Sequence, residues 1–175
     1  MYPKEYIEYL VHFHGDRDYF ECHELLEDYW KKVDKNNKRS ILVGFILLAV
    51  SNYHHRRQNY KGAARTLTKA LDIFQEQQQQ LTSFGFSSSE LLGFLNNRLL
   101  AIQNKEQYTS LVLPIQDSTL IEECKKTSKQ KGFVWTTESD LANVDLVHRH
   151  SRRDRSDVIL ERTKALQERQ KNGMD

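Results

Sequence analysis

The sequence predicts an all-α protein. It reads as a compact bundle of about five helices over residues 1–105, followed by a C-terminal extension, residues 106–175, made of a short extended strap and two helices. Three observations carry this. Only two prolines and seven glycines punctuate 175 residues, which favours long helices. Apolar residues recur at steps of three and four in one segment after another. Capping residues stand ahead of most of those segments.

The first helix lies between Pro3, which suits a first helical position, and Gly15, which suits a stop. Tyr6, Ile7, Leu10, Phe13 and His14 give it an apolar face. Asp18 then reads as an N-cap, with Glu21 three residues on as in a capping box. Cys22, Leu26, Tyr29 and Val33 form the stripe of a second helix that ends near residues 35–38. The third helix runs from about Ser40 to Arg57. Its start, ILVGFILLAV, is apolar all round, as expected of a central helix with neighbours on every side. Asn59 caps a fourth helix whose face is Tyr60, Ala63, Ala64, Leu67, Ala70, Leu71 and Phe74, and whose alanines permit a close approach to the third. The glutamine tract 77–80 is expected to be its solvated end. Ser87 to Glu90 has the spacing of another capping box and opens a fifth helix through Gln103. Leu111 to Ile115 is apolar and holds a proline, which predicts a strap lying on the bundle. A charged helix from Asp117 to Lys131, stopped by Gly132, and a last helix over 156–171 complete the chain.

Bulk properties narrow the setting. A hydrophobic content of 38% supports a real core, and a chain of this length buries roughly two thirds of its unfolded surface. A net charge of +2 gives no general pull toward nucleic acid or membrane. Two cysteines, Cys22 and Cys124, make no disulfide framework and fit a reducing compartment. The N-terminus MYPKEYIEYL lacks the basic and apolar regions of a secretion signal. The longest apolar run, Ile41 to Val50, is about half of a membrane span. These readings predict a cytoplasmic protein with no membrane partner.

The chemistry concentrates in Tyr19-Phe20-Glu21-Cys22-His23-Glu24-Leu25-Leu26-Glu27-Asp28-Tyr29-Trp30. His23 and Glu27 are neighbours at i, i+4 on the edge of the buried face. On the third helix His54 falls in line with Val43, Leu47 and Val50, so it too is expected to point toward the core, with Tyr53 and Arg57 beside it. Antiparallel packing of the two helices would bring His23, Glu27, His54 and Arg57 together. The candidate polar cluster is therefore Tyr19, Glu21, His23, Glu24, Glu27, Trp30, Tyr53, His54 and Arg57. Its members fit a hydrogen-bonded core network, a pocket for an organic ligand, or a divalent-metal site held by His23, Glu27 and His54. The spacing is not that of a zinc peptidase: glutamate stands at the second histidine, and no third ligand is evident.

The same segment resembles the signature YFExHExxExxW of the bacterial and archaeal domain-of-unknown-function family 309. The likeness extends over residues 10–80 through Gly44, Ala49, Tyr53, His54, Arg57, Asn59, Gly62 and Ala63. Cys22 stands where that family more often has alanine. The resemblance implies a compact all-helical fold and no established activity, so it assigns no catalytic residue.

Two basic runs remain. His54-His55-Arg56-Arg57 fits cations placed at a helix C-terminus. Arg149, Arg152, Arg153 and Arg155 form the densest local run and are candidate anion contacts, with Phe133 and Trp135 upstream. Asp154 and Asp157 interrupt that run, and no nucleic-acid signature accompanies it, so nucleic acid is not the expected partner. No nucleophile elbow, phosphate loop or dinucleotide fingerprint occurs. The expectation is a noncatalytic binding or adaptor protein without a resident cofactor, using the extension for a protein partner. The rival is a metal- or ligand-binding protein, or an enzyme, built on the His23/Glu27/His54 cluster.

Overall fold

A computed structural model describes residues 1–149 and 156–172. All the regular structure in those residues is helical: α1 Lys4–His14, α2 Tyr19–Val33, α3 Ile41–Arg56, α4 Tyr60–Glu76, α5 Gln78–Leu81, a 3-10 turn Thr82–Phe84, α6 Ser88–Gln103, α7 Ser118–Gln130, α8 Val144–Val147 and α9 Ser156–Asn172. The all-α bundle expected from the periodicity is what forms.

The apolar α3 sits at the centre, packed between α2 and α4. Phe45 anchors an aromatic cluster, with Tyr6, Tyr9, Phe74, Phe84 and Phe86 ring centroids 4.9–5.9 Å away. Buried tyrosine hydroxyls need acceptors. Tyr9 donates to the Phe45 carbonyl at 2.7 Å and Tyr6 to the Phe84 carbonyl at 2.8 Å. The α3–α4 seam is close because small residues line it. A Cβ on Gly44 would stand 2.7 Å from the Phe74 ring, and Ser51 donates across the seam to the Ala63 carbonyl at 2.8 Å.

The caps decide where helices begin. Asp18, Ser40, Asn59 and Asp117 each accept a backbone N–H of the first turn with the side chain. Two details differ from the expected boxes. At α2 the Asp18 N–H goes to Asp16 Oδ1 at 3.2 Å, so Glu21 is not the reciprocal partner. At α6 Ser87 makes no cap: its hydroxyl pairs with Ser89 at 3.2 Å, and Glu90 accepts from Gln116 of the strap. Tertiary partners outcompete the local motif at both places. The glutamine tract does not simply fray. Gln77 caps α4, and the next residues form α5, anchored by buried Leu81. Val33, expected on the α2 stripe, is exposed because the helix has outrun its neighbours.

Residues 106–149 return across the bundle. Ile115 bridges Phe86 in antiparallel fashion, and the Gln116 N–H reaches the Gly85 carbonyl at 2.8 Å. Helix α7 lies along α1, tied at its cap by Tyr2, which donates to Asp117 at 2.6 Å. After Gly132 (φ +76°), Phe133 packs on His12 and Trp135 on His14, with centroids 5.4 and 4.5 Å apart. Helix α8 buries Leu146 and Val147. On α9, Leu166 is exposed. Among the described residues, no helix is long and apolar enough to cross a membrane.

Candidate functional site

The segment 19–30 folds as α2 because Asp18 caps it and because Tyr19, Cys22 and Leu26 bury one stripe. Cys22 is spent on packing: its thiol donates to the Tyr9 carbonyl, and burial pushes its pKa well up, which removes it as a nucleophile at neutral pH. The polar side chains stand at the stripe's edge. His23 Nε2 meets Glu27 Oε2 at 2.9 Å, and His23 Nδ1 lies 3.2 Å from Glu24 Oε1 without hydrogen-bond alignment. Lys31 joins Glu27 at 2.9 Å. The His23 hydrogen bond is the chief reason that the Glu27 pKa falls to about 2, with Lys31 helping and partial burial opposing. The carboxylate is therefore ionised throughout the physiological range.

Facing this edge, α3 presents Val50, Tyr53 and His54. Together with Tyr19, Phe20 and His23 they line a cleft of about 150 Å³. The stripe Val43, Leu47, Val50 and His54 is only half buried. Its Val50 and His54 end lines the cleft and not the core, where His54 was expected, because the fully buried residues of α3 are turned to α4 and to the Tyr6 and Tyr9 rings. His54 is one wall of the cleft, and its Nδ1 lies 3.2 Å from Asn59 Nδ2.

The predicted cluster thus separates into parts. His23 and His54 share the cleft. Glu27 and Glu24 hold His23 from along α2. The three groups whose donor atoms lie within 4.8 Å of one another are His23, Glu24 and Glu27, with Glu24 in the place expected for His54. Arg57 turns aside: it donates to His148 Nδ1 at 3.1 Å and lies over the Tyr53 ring at 5.2 Å. Glu21 gives its N–H to the Asp18 cap, and Trp30 donates to the Asn37 carbonyl at 3.1 Å, closing the α2–α3 loop. Tyr19 is fully buried, with Arg56 stacked on its ring at 4.6 Å and its hydroxyl against that of Tyr108. Of the candidate anion contacts, Arg149 is paired with Asp18, whereas Arg152, Arg153 and Arg155 lie outside the described residues.

Sequence reasoning missed a second polar region. Arg17, Arg56 and Arg98 are buried, and among the described residues none has a carboxylate within ion-pair distance. The run His54–Arg57 is not a uniform cationic helix end: His55 and Arg56 point inward, with His55 Nε2 at 2.8 Å from the Glu106 carbonyl. His14 is buried as well. It donates from Nδ1 to the Leu10 carbonyl at 2.8 Å and accepts the Leu113 N–H at Nε2 at 3.0 Å. That pairing fixes the neutral tautomer, and burial lowers its pKa to about 3. The acceptors here are main-chain carbonyls, which leave no mark on residue type. The single hint is Arg17 itself, a non-glycine at φ +58°.

Comparison with known proteins places this architecture. No solved structure matches the chain. Residues 6–66, which hold α1, α2, α3 and the start of α4, match the family described as a domain of unknown function (DUF309). The chain is also 43% identical to "Uncharacterized protein YpuF" of Bacillus subtilis (strain 168) over 172 residues, covering 98% of this chain and 99% of the relative. With the signature helix forming one wall of the cleft and a relative aligned almost end to end, the chain belongs to the DUF309 family.

Proposed function

We propose that the protein is a cytoplasmic, noncatalytic binding protein whose α2–α3 cleft takes one large apolar side chain of a protein partner. The size of the cleft carries this reading. About 150 Å³ matches a single benzene-sized ring, whereas pockets for drug-sized ligands and cofactors run from about 300 to 1,000 Å³. Tyr19, Phe20, Val50 and Tyr53 supply apolar wall, and His23 and His54 supply polar edges. A recessed aromatic or aliphatic anchor in such a slot is the usual centre of a protein–protein contact. The extension, residues 106–175, is the second surface available to such a partner.

The test is selection of binders from a random peptide library on the full chain, with Val50→Trp as the filled-cleft variant. Peptides that depend on one large apolar residue, and that lose at least tenfold in affinity on Val50→Trp, support the reading. Binders indifferent to Val50→Trp, or an absence of selected binders, overturn it.

A second reading has its own observation. The His23, Glu24 and Glu27 donors, one nitrogen and two carboxylates within 4.8 Å, are a set that a divalent cation accepts. A cation would take one ring nitrogen and displace Lys31 from Glu27. At a hundred times its dissociation constant, Zn²⁺, Mn²⁺, Fe²⁺, Ni²⁺ or Mg²⁺ would stabilise the fold by about 2.7 kcal/mol. A thermal shift present in wild type and absent in His23→Ala supports this reading. No shift with any of the five metals removes it.

A further inference from the structure

Three guanidiniums meet beneath residues 106–149. Arg56 lies over the Tyr19 ring at 4.6 Å and within 6.0 Å of the Tyr108 ring, and Arg98 lies over Tyr108 at 5.3 Å. Arg17 sits in the turn that delivers Tyr19. All three are more than nine-tenths buried. Taking a cation out of water is costly without a counter-charge, and replacing water by neutral acceptors recovers only part of that cost. Here the acceptors are neutral. Arg17 donates to the carbonyls of Thr137, at 2.7 Å, and Leu111. Arg56 donates to the Arg17 carbonyl at 2.7 Å and Ser139 Oγ at 3.0 Å, with the Leu146 carbonyl at 3.4 Å. Arg98 donates to Thr109 Oγ1 at 2.9 Å, the Thr109 carbonyl at 2.7 Å and Asn52 Oδ1 at 3.3 Å. The donors are not used up: Nε of Arg56 and of Arg98 are buried without a hydrogen-bond partner.

The cover over this cluster is thin. Residues 106–113 and 133–143 contain no helix, and Thr109 and Thr137, whose oxygens occupy the guanidiniums, are themselves exposed. The cover therefore places carbonyl and hydroxyl oxygens against three guanidiniums flanked by the Tyr19 and Tyr108 rings, the positions at which a tetrahedral oxyanion would bring the missing negative charge. Guanidinium forks bind phosphoryl oxygens in pairs more strongly than they bind neutral carbonyls.

We propose that Arg17, Arg56 and Arg98 form a binding site for a phosphoryl-type oxyanion, held closed by the helix-free segments 106–113 and 133–143 as a displaceable strap. The anion takes the donors now given to Thr109, Leu111, Thr137 and Ser139, and the strap lifts. This site shares Tyr19 with the α2–α3 cleft, but its three guanidinium donors are not cleft residues, and the proposal does not depend on what the cleft binds.

The experiment is amide hydrogen exchange on the full chain with inorganic phosphate, pyrophosphate, and a phosphoserine peptide beside its unphosphorylated twin, all at matched ionic strength in chloride. The expected result is a saturable rise in exchange at residues 107–113 and 134–141. A response to the free anions assigns a soluble ligand, and a response confined to the phosphopeptide assigns a protein-borne one. Thr109→Val removes a competing hydroxyl and leaves every guanidinium in place, so it should tighten anion binding several-fold. Arg98→Lys should weaken binding tenfold or more, while Arg65→Gln, an exposed arginine on α4, and Val50→Trp should leave it unchanged. No saturable response to any of the three phosphate probes overturns the proposal. So does a Thr109→Val protein that is less stable but binds anion as before, because a purely structural staple predicts that outcome.

Discussion

The two seams of this molecule are made in opposite ways. Between α3 and α4 the contact is dry and shape-determined: alanines and Gly44 let the helices close up, and Phe74 fills the space against Phe45. Between the bundle and residues 106–149, much of the contact is polar. Buried Arg17, Arg98, His14 and His55 are answered by backbone oxygens and N–H groups of an irregular segment, and Arg56 by the Ser139 hydroxyl and the Leu146 carbonyl beside the Arg17 carbonyl. The first seam gains stability from removing apolar area and tolerates no extra volume. The second gains less per contact, since each hydrogen bond is exchanged for one with water, and loses much when a buried partner is orphaned. One region fixes the fold by shape, and the other holds its cover through hydrogen bonds.

The largest effect should come from emptying the dry seam. Phe45→Ala removes the ring on which five aromatic neighbours converge, and it should cost about 3–5 kcal/mol. Urea unfolding checks this. A loss below about 1 kcal/mol would mean that the cluster relaxes freely and is not the rigid centre described. Overfilling the same seam should cost less. Gly44→Ala places a methyl 2.7 Å from a buried ring that has little room to withdraw, for an expected loss of about 1–3 kcal/mol. A neutral or stabilising outcome would show that α3 and α4 slide apart easily.

The polar seam responds to pH instead of volume. His14 is neutral in the folded protein, with its pKa lowered to about 3 by burial, against an ordinary value of 6.5. Below pH 6.5 the unfolded chain takes up a proton that the folded chain refuses. The contribution of His14 is therefore complete above about pH 6.5 and is lost progressively as pH falls toward 3. Unfolding midpoints from pH 8 to pH 4 should fall less steeply in His14→Gln, which should also cost about 1–3 kcal/mol at neutral pH through the Leu113 N–H that it mispairs. Equal acid slopes in the two proteins would show that His14 does not hold the strap as a neutral acceptor.

The same contrast explains what the sequence could reveal. Helical periodicity reports apolar burial, so α3, the α4 alanine face and the Cys22–Leu26 stripe were legible. The Asp18 and Asn59 caps were legible because their side chains act locally. The capping box at Ser87 misled because its glutamate is claimed by Gln116, 26 residues away in the chain. Arg17, Arg98 and Tyr108 were invisible for a deeper reason: a carbonyl acceptor is the same whatever residue carries it. The His23–Glu27 pair was legible from i, i+4 spacing, but the stripe that carries His54 was expected in the core, because an apolar stripe does not show that its neighbours leave it half covered at a cleft. Arg57 was misplaced because periodicity gives a direction for the Cα–Cβ bond, while a long side chain goes where its partner is, here His148.

The smallest effect belongs to the cleft edge. His23 and Glu27 are roughly 30% exposed, with side-chain accessibilities of 27% and 31%, so their pairing is screened and should contribute about 0.2–1 kcal/mol. His23→Ala should leave the fold nearly as stable as wild type. Its signature should be the titration of Glu27. With the histidine bond gone, the carboxyl should climb from about 2 back toward the ordinary 4.5, because that bond is the first cause of its depression. The stability that Glu27 contributes is present above about pH 4.5 and lost between there and pH 2, so the small loss in His23→Ala should appear at neutral pH and the two proteins should converge as pH falls toward 2. A carboxyl-detected NMR titration of wild type and His23→Ala separates the possibilities. A Glu27 that moves while stability at pH 7 falls by no more than about 1 kcal/mol shows the pair to be a tuned polar edge, available to a ligand. A large loss of stability at pH 7 would instead place His23 among the groups that hold the bundle together, on the same footing as His14.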